Sequence, residues 1–169
     1  WPHLDKAQPM LLALGISGMS FVGADVGGFF GNPEEKLLVR WYQAGAFYPF
    51  FRAHAHIETQ RREPWLFGEE NTNLIRAAIQ RRYTLLPYYY TLHFHNSVNG
   101  APVMRPLFFE YPQDEQTYDI QNQFLIGKNI LIKPVVEANT ESLSVYLPPS
   151  DIWYDYEDLT LASSTVATP

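Results

Sequence analysis

The residues that could do chemistry cluster in two short stretches. The first is Asp25-Val26-Gly27-Gly28-Phe29-Phe30-Gly31, and the second is Arg52-Ala53-His54-Ala55-His56. Each sets a carboxylate or imidazole close to aromatic rings. That mixture suits a polyhydroxylated ligand, because carboxylates and imidazoles bond hydroxyls while aromatic faces cover the C–H surface of a sugar ring. Both candidates also have plainer readings. Asp25 precedes a glycine pair, and its carboxylate could simply accept bonds from the Gly27 and Gly28 amides. A lone histidine such as His54 is more often structural than functional. In an extended segment Arg52, His54 and His56 share one side. A His54–His56 metal pair needs further ligands, and no nearby segment supplies an obvious set. The sequence has no Ser/His/Asp spacing, phosphate-cradling glycine loop or nucleophile elbow, and neither a cofactor nor a metal is expected.

The elements that must position these stretches read as an α/β pattern. Leu4 to Leu14 carries an apolar face at Leu4, Ala7, Leu11 and Leu14. Pro9 within it moves the expected start toward Gln8, and Gly15 is the expected stop. Met19 to Ala24 reads as a short strand buried on both faces, the kind found in parallel sheets. The glycine-rich loop follows. A helix then starts at Asn32-Pro33-Glu34-Glu35, with Asn32 as cap and Pro33 in the first position, and runs to about Phe47. Phe50 to His56 is a second strand end or loop. A long helix spans roughly Asn71 to Val98, where Pro87 should kink or split it and Asn99-Gly100 closes it. Phe124-Leu125-Ile126 and Ile130-Leu131-Ile132 read as two strands around Gly127-Lys128-Asn129. Leu143, Val145 and Leu147 alternate with polar partners as a half-buried strand. Ala162 to Pro169 reads as frayed or cut.

Two groups receive structural readings. Arg61-Arg62 and Arg81-Arg82 are expected to be solvated or paired with Glu58, Glu63, Glu69 and Glu70. Tyr88-Tyr89-Tyr90 and Phe94 are expected to pack between the α/β part and the all-β part. In parallel α/β folds ligands gather at the carboxyl ends of strands, which is where both polar stretches fall.

At 169 residues the chain suits one domain, or one and part of another, and is too short for a complete (β/α)₈ barrel of about 250 residues. Hydrophobic residues at 46% against 18% charged exclude a disordered chain. Eighteen acidic against 12 basic residues, a net charge of −6, argue against a nucleic-acid partner. No apolar run approaches the ~20 residues of a membrane span. With no cysteine there is no disulfide and no thiolate site. The opening Trp1-Pro2-His3-Leu4, without an initiator methionine and already helical in pattern, reads as a segment of a longer chain.

The motifs together are specific. Gly23-Ala24-Asp25-Val26-Gly27-Gly28-Phe29, Arg40-Trp41, Gly45-Ala46-Phe47-Tyr48-Pro49-Phe50 and Arg52-Ala53-His54 closely resemble glycoside hydrolase family 31. Phe29 to Glu34, Arg61-Arg62-Glu63-Pro64-Trp65, Val103 to Leu107 and Tyr111-Pro112 extend the likeness over residues 1–155. Within the family the wording is most similar to the catalytic alpha subunit of its N-glycan-trimming member.

The resemblance implies the last part of a (β/α)₈ TIM barrel over residues 1–101, followed by the start of an antiparallel β-sandwich domain over 102–169. It implies a retaining exo-α-glucosidase acting on terminal α-1,3-linked glucose of N-glycans in the endoplasmic reticulum lumen. A noncatalytic beta subunit and the remaining catalytic-subunit polypeptide would be its partners. Two aspartates do the bond-breaking in this family. The motif of neither is present here, so the isolated chain is expected to be inactive. The positions matching Asp25, Phe29 and His54 line the pocket for the terminal glucose. A stand-alone carbohydrate-binding module, or another family activity such as an α-xylosidase, is the alternative.

Overall fold

The structure, a computed structural model, describes residues 1–167. Helix α1 (Pro2–Ile16) starts on a proline, whose missing N–H costs nothing in a first turn. It therefore begins before Pro9 and runs through it, rather than starting near Gln8. It also passes Gly15, and Ser17 caps it. Gly15 faces the Met104 carbonyl, which a β-carbon there would meet at 3.1 Å. Leu4, Ala7, Leu11 and Leu12 are buried, and so is Gln8, whose Nε2 donates to the Leu4 carbonyl (3.1 Å) and the Tyr48 hydroxyl (2.6 Å).

Helix α2 (Glu35–Gly45) starts two residues beyond the expected Pro33. Asn32 does not cap it, because its Oδ1 accepts instead from the Gln60 amide at 2.9 Å. The buried face of α2 carries Leu38, Val39, Trp41, Tyr42 and Ala44. Helix α3 (Gly68–Asn99) is one continuous element of 32 residues, unbroken at Pro87. Gly100 ends it with φ 76° and an amide bond to the Asn96 carbonyl. Its buried positions Ile75, Arg82, Leu85, Tyr89 and Leu92 recur at helical spacing, and α3 packs on α2.

The aromatic run on α3 divides. Tyr88 donates to the Ile126 carbonyl at 3.1 Å and so reaches the β part as expected, whereas Tyr89 donates to the Phe47 carbonyl at 2.8 Å, within the α/β part. Tyr90 and Phe94 face outward instead, because their helical phase turns them away from this seam. Tyr89→Phe keeps the ring and strands the Phe47 carbonyl, so it should lower stability by about 1–2 kcal/mol. A shifted denaturation midpoint with an unchanged slope would register it, and an unmoved midpoint would show that the bond contributes nothing.

Three short strands follow in an antiparallel sheet ordered β1-β2-β3: β1 (Met104–Pro106), β2 (Phe124–Ile126) and β3 (Ile130–Ile132). Met104 stands opposite Ile126, and Ile126 opposite Ile130. A single turn, α4 (Leu107–Glu110), follows β1. Strand β4 (Ser142–Ser144) pairs with β5 (Thr165–Ala167). Thr165–Ala167, within the stretch expected to be frayed or cut, thus form a strand because β4 offers a partner edge; residues 168–169 lie outside the described residues. One buried cluster runs from Leu4 and Trp41 to Met104, Phe124 and Ile126, so the helices and the first sheet share a core. No helix among the described residues is long and apolar enough to cross a membrane.

Candidate functional site

Two segments running side by side place the site. The Phe50 amide donates to the Val22 carbonyl (2.8 Å) and the Val26 amide to the Arg52 carbonyl (3.0 Å), giving a parallel bridge between Val26 and Ala53. The pairing is shorter than the strand expected over Met19 to Ala24. Met19 and Phe21 are exposed, so within this chain that segment is buried on one face only, through Ser20 and Ala24. Phe21 rests its edge on Phe50 and His93. Gly23 is what lets the two backbones approach: a β-carbon there would lie 2.9 Å from the Phe50 carbonyl carbon and nearer still to its oxygen. Gly45 of α2 plays the same part behind them, where a β-carbon would press to 2.6 Å from Val26 Cγ2.

Both polar stretches leave the same end of this pair. Asp25 Oδ1 accepts from Arg52 Nη2 at 2.8 Å. The Gly27 and Gly28 amides do not hold the carboxylate; the Gly28 amide instead bonds the Asp25 backbone carbonyl at 2.8 Å, closing a turn. The ion pair is partly exposed and adds little stability. Its effect is geometric, since it ties the Asp25 loop to the His54 loop and leaves Oδ2 without a bond among the described residues. Arg52 also lies over the Phe50 ring, 5.4 Å from its centroid.

Phe29 and His54 meet directly, with ring centroids 5.4 Å apart and planes tilted by 32°. His56 stands edge-on to Phe29 at 5.8 Å and beside Phe30 at 5.5 Å. Its amide donates to the Phe29 carbonyl at 2.8 Å. Arg52, His54 and His56 therefore all turn toward the glycine loop, as their alternation predicts. His54 is exposed, and among the described residues neither of its ring nitrogens is bonded. Of the three candidate residues, Phe29 and His54 are in contact, and Asp25 is ion-paired to Arg52, two residues before His54 in the chain. No group of three or more His, Asp or Glu side chains that could hold a metal occurs among the described residues.

Sequence reasoning missed Arg62. Arg61 behaves as expected, pairing with Glu63 at 2.9 Å. Arg62 instead is buried, and its guanidinium donates to the carbonyls of Gly27 (2.9 Å), Gly28 (2.8 Å) and Gly31 (2.6 Å). Burial pulls its pKa down, opposed by Tyr42; an arginine stays charged regardless. Arg82 is buried likewise, 4.0 Å over the Tyr89 ring, donating to the Pro49 carbonyl at 2.8 Å and to those of Ala46 and Tyr48. Arg81 pairs with Glu157 rather than with a nearby glutamate. The only available signal was indirect: a loop of glycines leaves carbonyls that some donor must satisfy.

A sizeable concave surface lies elsewhere. A groove of about 860 Å³ runs between the end of α2, α3 and the β-strands, lined by Phe47, Leu85, Ile130, Leu143 and Trp153 among others. It is mainly apolar and touches neither polar loop.

Residues 1–92 match the glycosyl hydrolases family 31 TIM-barrel domain, and residues 100–168 match the glycosyl hydrolase family 31 C-terminal domain. The chain belongs to glycosyl hydrolase family 31. It is 59% identical over 155 residues to the probable glucan 1,3-alpha-glucosidase of Oryza sativa subsp. japonica, covering 92% of this chain and 17% of that protein. The ER glucosidase II heterodimeric complex, of a catalytic subunit and the binding domain of a regulatory subunit, superposes with a TM-score of 0.97 at 46% identity. That match takes in all of this chain and 19% of the solved one. The glucosidase II alpha subunit bound to alpha3-Glc2 gives 0.93 at 46% identity, over 99% of this chain and 18% of that one. The chain thus spans about a fifth of the length of these relatives. Within family 31 it carries part of the TIM barrel and, after it, part of the antiparallel C-terminal domain.

Proposed function

We propose that these residues are a segment of a retaining exo-α-glucosidase that removes terminal α-1,3-linked glucose from N-glycans in the endoplasmic reticulum lumen. Residues 1–101 would be the C-terminal portion of the catalytic barrel and 102–169 the start of the β-sandwich domain. A noncatalytic beta subunit and the rest of the catalytic polypeptide would be the partners. The observation that carries the reading is the placement of Asp25, Phe29 and His54 on two loops at one end of a parallel backbone pair, in a family 31 chain similar to a probable glucan 1,3-alpha-glucosidase.

The geometry supports a role for each residue. His54 offers an unengaged imidazole to a glucose hydroxyl. Asp25 is held at one oxygen by Arg52, and the other accepts from a second hydroxyl. Phe29 forms an apolar wall against which the sugar's C–H face rests, with Phe30 and His56 packed in T-shaped contacts with its ring. The two carboxylates that attack the anomeric carbon and protonate the leaving oxygen lie outside these residues. This part of the enzyme therefore orients the glucose and leaves bond cleavage to groups elsewhere. The intact polypeptide should release glucose from an α-1,3-linked glucosyl disaccharide, while the isolated 169-residue chain should release nothing from a chromogenic α-glucoside. Turnover by the chain alone would overturn the division of labour, and no α-1,3 hydrolysis by the intact polypeptide would overturn the substrate.

A further inference from the structure

The pocket wall just described hangs on a loop that has almost no regular structure of its own. Gly27, Gly28 and Gly31 all have positive φ, at 94°, 80° and 71°. Glycine loses the most backbone freedom on ordering, so a run of such residues holds one shape only when something outside fixes it. Neither Phe29 nor Phe30 can supply that hold from within, because their rings pack mainly on each other and on the two histidines.

Besides the one backbone bond from the His56 amide to the Phe29 carbonyl (2.8 Å), the external hold on the glycine carbonyls is one side chain. Arg62 spans the loop with one fork: Nη1 takes the Gly27 and Gly28 carbonyls and Nη2 the Gly31 carbonyl. The accepted bonds bracket Phe29 and Phe30 on both sides. Charged donors make the stronger kind of hydrogen bond. The fit leaves little slack, since a β-carbon on Gly27 would already come within 3.1 Å of Nη1. Arg62 is only 8% exposed. Among the described residues it has no carboxylate partner, and its Nε finds no acceptor. A buried guanidinium satisfied only by neutral carbonyls is a poor device for stability, since an apolar side chain of similar volume is often tolerated as well or better in such a place. A local arrangement that works against stability is where a functional constraint is to be sought.

We propose that Arg62 is a positioning residue for the glucose subsite: its guanidinium fixes the Gly27–Gly31 loop so that Phe29 stands against His54 at the distance the sugar requires. The inference rests on the proposed function. Arg62 touches no substrate itself. It acts on binding by ordering Phe29 in advance, so that the cost of fixing the loop is met before glucose arrives. Its loss should therefore appear in KM far more than in kcat.

The test uses the intact enzyme with Arg62→Met and Arg62→Lys, assayed on an aryl α-glucoside together with thermal unfolding. For Arg62→Met the expectation is a KM raised at least tenfold, with kcat within about threefold. Arg62→Lys keeps the charge but not the fork, and should fall between Arg62→Met and wild type in KM. Millimolar guanidinium added to Arg62→Met should recover part of the lost affinity. Wild-type KM in either folded variant overturns the proposal. So does a fall in kcat that follows the folded fraction while KM stays constant, because that is what a merely structural arginine produces. If Arg62→Met does not fold, Arg62→Lys decides alone by its KM. His54→Ala is the companion control. A normal His54→Ala enzyme rejects the pocket itself, whereas an impaired His54→Ala beside a normal Arg62→Met rejects only the role of Arg62.

Discussion

His54→Ala in the intact enzyme should lower kcat/KM for an α-glucoside about 10²-fold. The side chain does little for the fold: it is exposed, makes no hydrogen bond among the described residues, and touches Phe29 only ring to ring. The expected loss therefore comes from the substrate side. A bond from an imidazole to a sugar hydroxyl is worth roughly 1.5–3 kcal/mol when one partner is charged or strongly polarised, and each 1.4 kcal/mol is tenfold. The hydroxyl left unpaired by alanine adds to this, because polar sites discriminate most strongly when a buried group loses its partner. His54→Gln, which keeps a donor and an acceptor, should recover part of the loss. The thermal midpoint of His54→Ala should stay within a degree or two of wild type. Unchanged kinetics would remove His54 from the glucose subsite, and a large loss of stability would mean that the histidine packs more than it binds.

How far the sequence alone could reach is seen best in pairs of like residues with unlike fates. Arg61 and Arg62 are adjacent, yet one pairs with Glu63 at the surface and the other is buried under the glycine loop. Arg81 and Arg82 repeat the contrast. Periodicity says which way a helical residue faces, but not what carbonyls a distant loop will leave in its path. The same limit moved the start of α2, where Asn32 is a sound cap by type but is claimed by Gln60, 28 positions away. Local signals read well where a local cause decides. Gly100 at a left-handed helix end, Gly127 in the tight turn between β2 and β3, and the periodic faces of α2 and α3 are all of this kind. The two site loops were legible as composition, an acid or imidazole beside aromatics. Their closeness was not, because it depends on a parallel pairing across some thirty residues that leaves no local trace. Met19 to Ala24 shows this from the other side: its apolar run matches a strand buried on both faces, whereas the chain pairs it along one edge and leaves Phe21 67% exposed.

That pairing sets the second large expectation. Gly23→Ala should destabilise the intact enzyme by about 4 kcal/mol or more, a size that single substitutions reach only by a definite steric or cavity mechanism. The mechanism here is a backbone collision. The alanine methyl would fall on the Phe50 carbonyl, at 2.9 Å from its carbon and closer to its oxygen, with Phe50 Cβ at 3.2 Å. A carbonyl in a paired segment cannot swing aside as a flexible side chain can. Relief requires the Val22 and Phe50 segments to part, breaking the 2.8 Å bond between them and shifting the Asp25 loop against the His54 loop. A displacement of about 1 Å between groups that must act together can cost 10²-fold in rate, so surviving folded enzyme should also be slow. Gly18→Ala is the matched comparison. Gly18 has φ 99° but open space around it, so its alanine meets only the left-handed backbone penalty of about 1–2 kcal/mol. Gly23 lacks a positive φ, so its penalty is purely one of contact. Thermal unfolding of both variants separates the two causes. If Gly23→Ala is no worse than Gly18→Ala, the two segments are not in close register, and the convergence of Asp25, Phe29 and His54 loses its support.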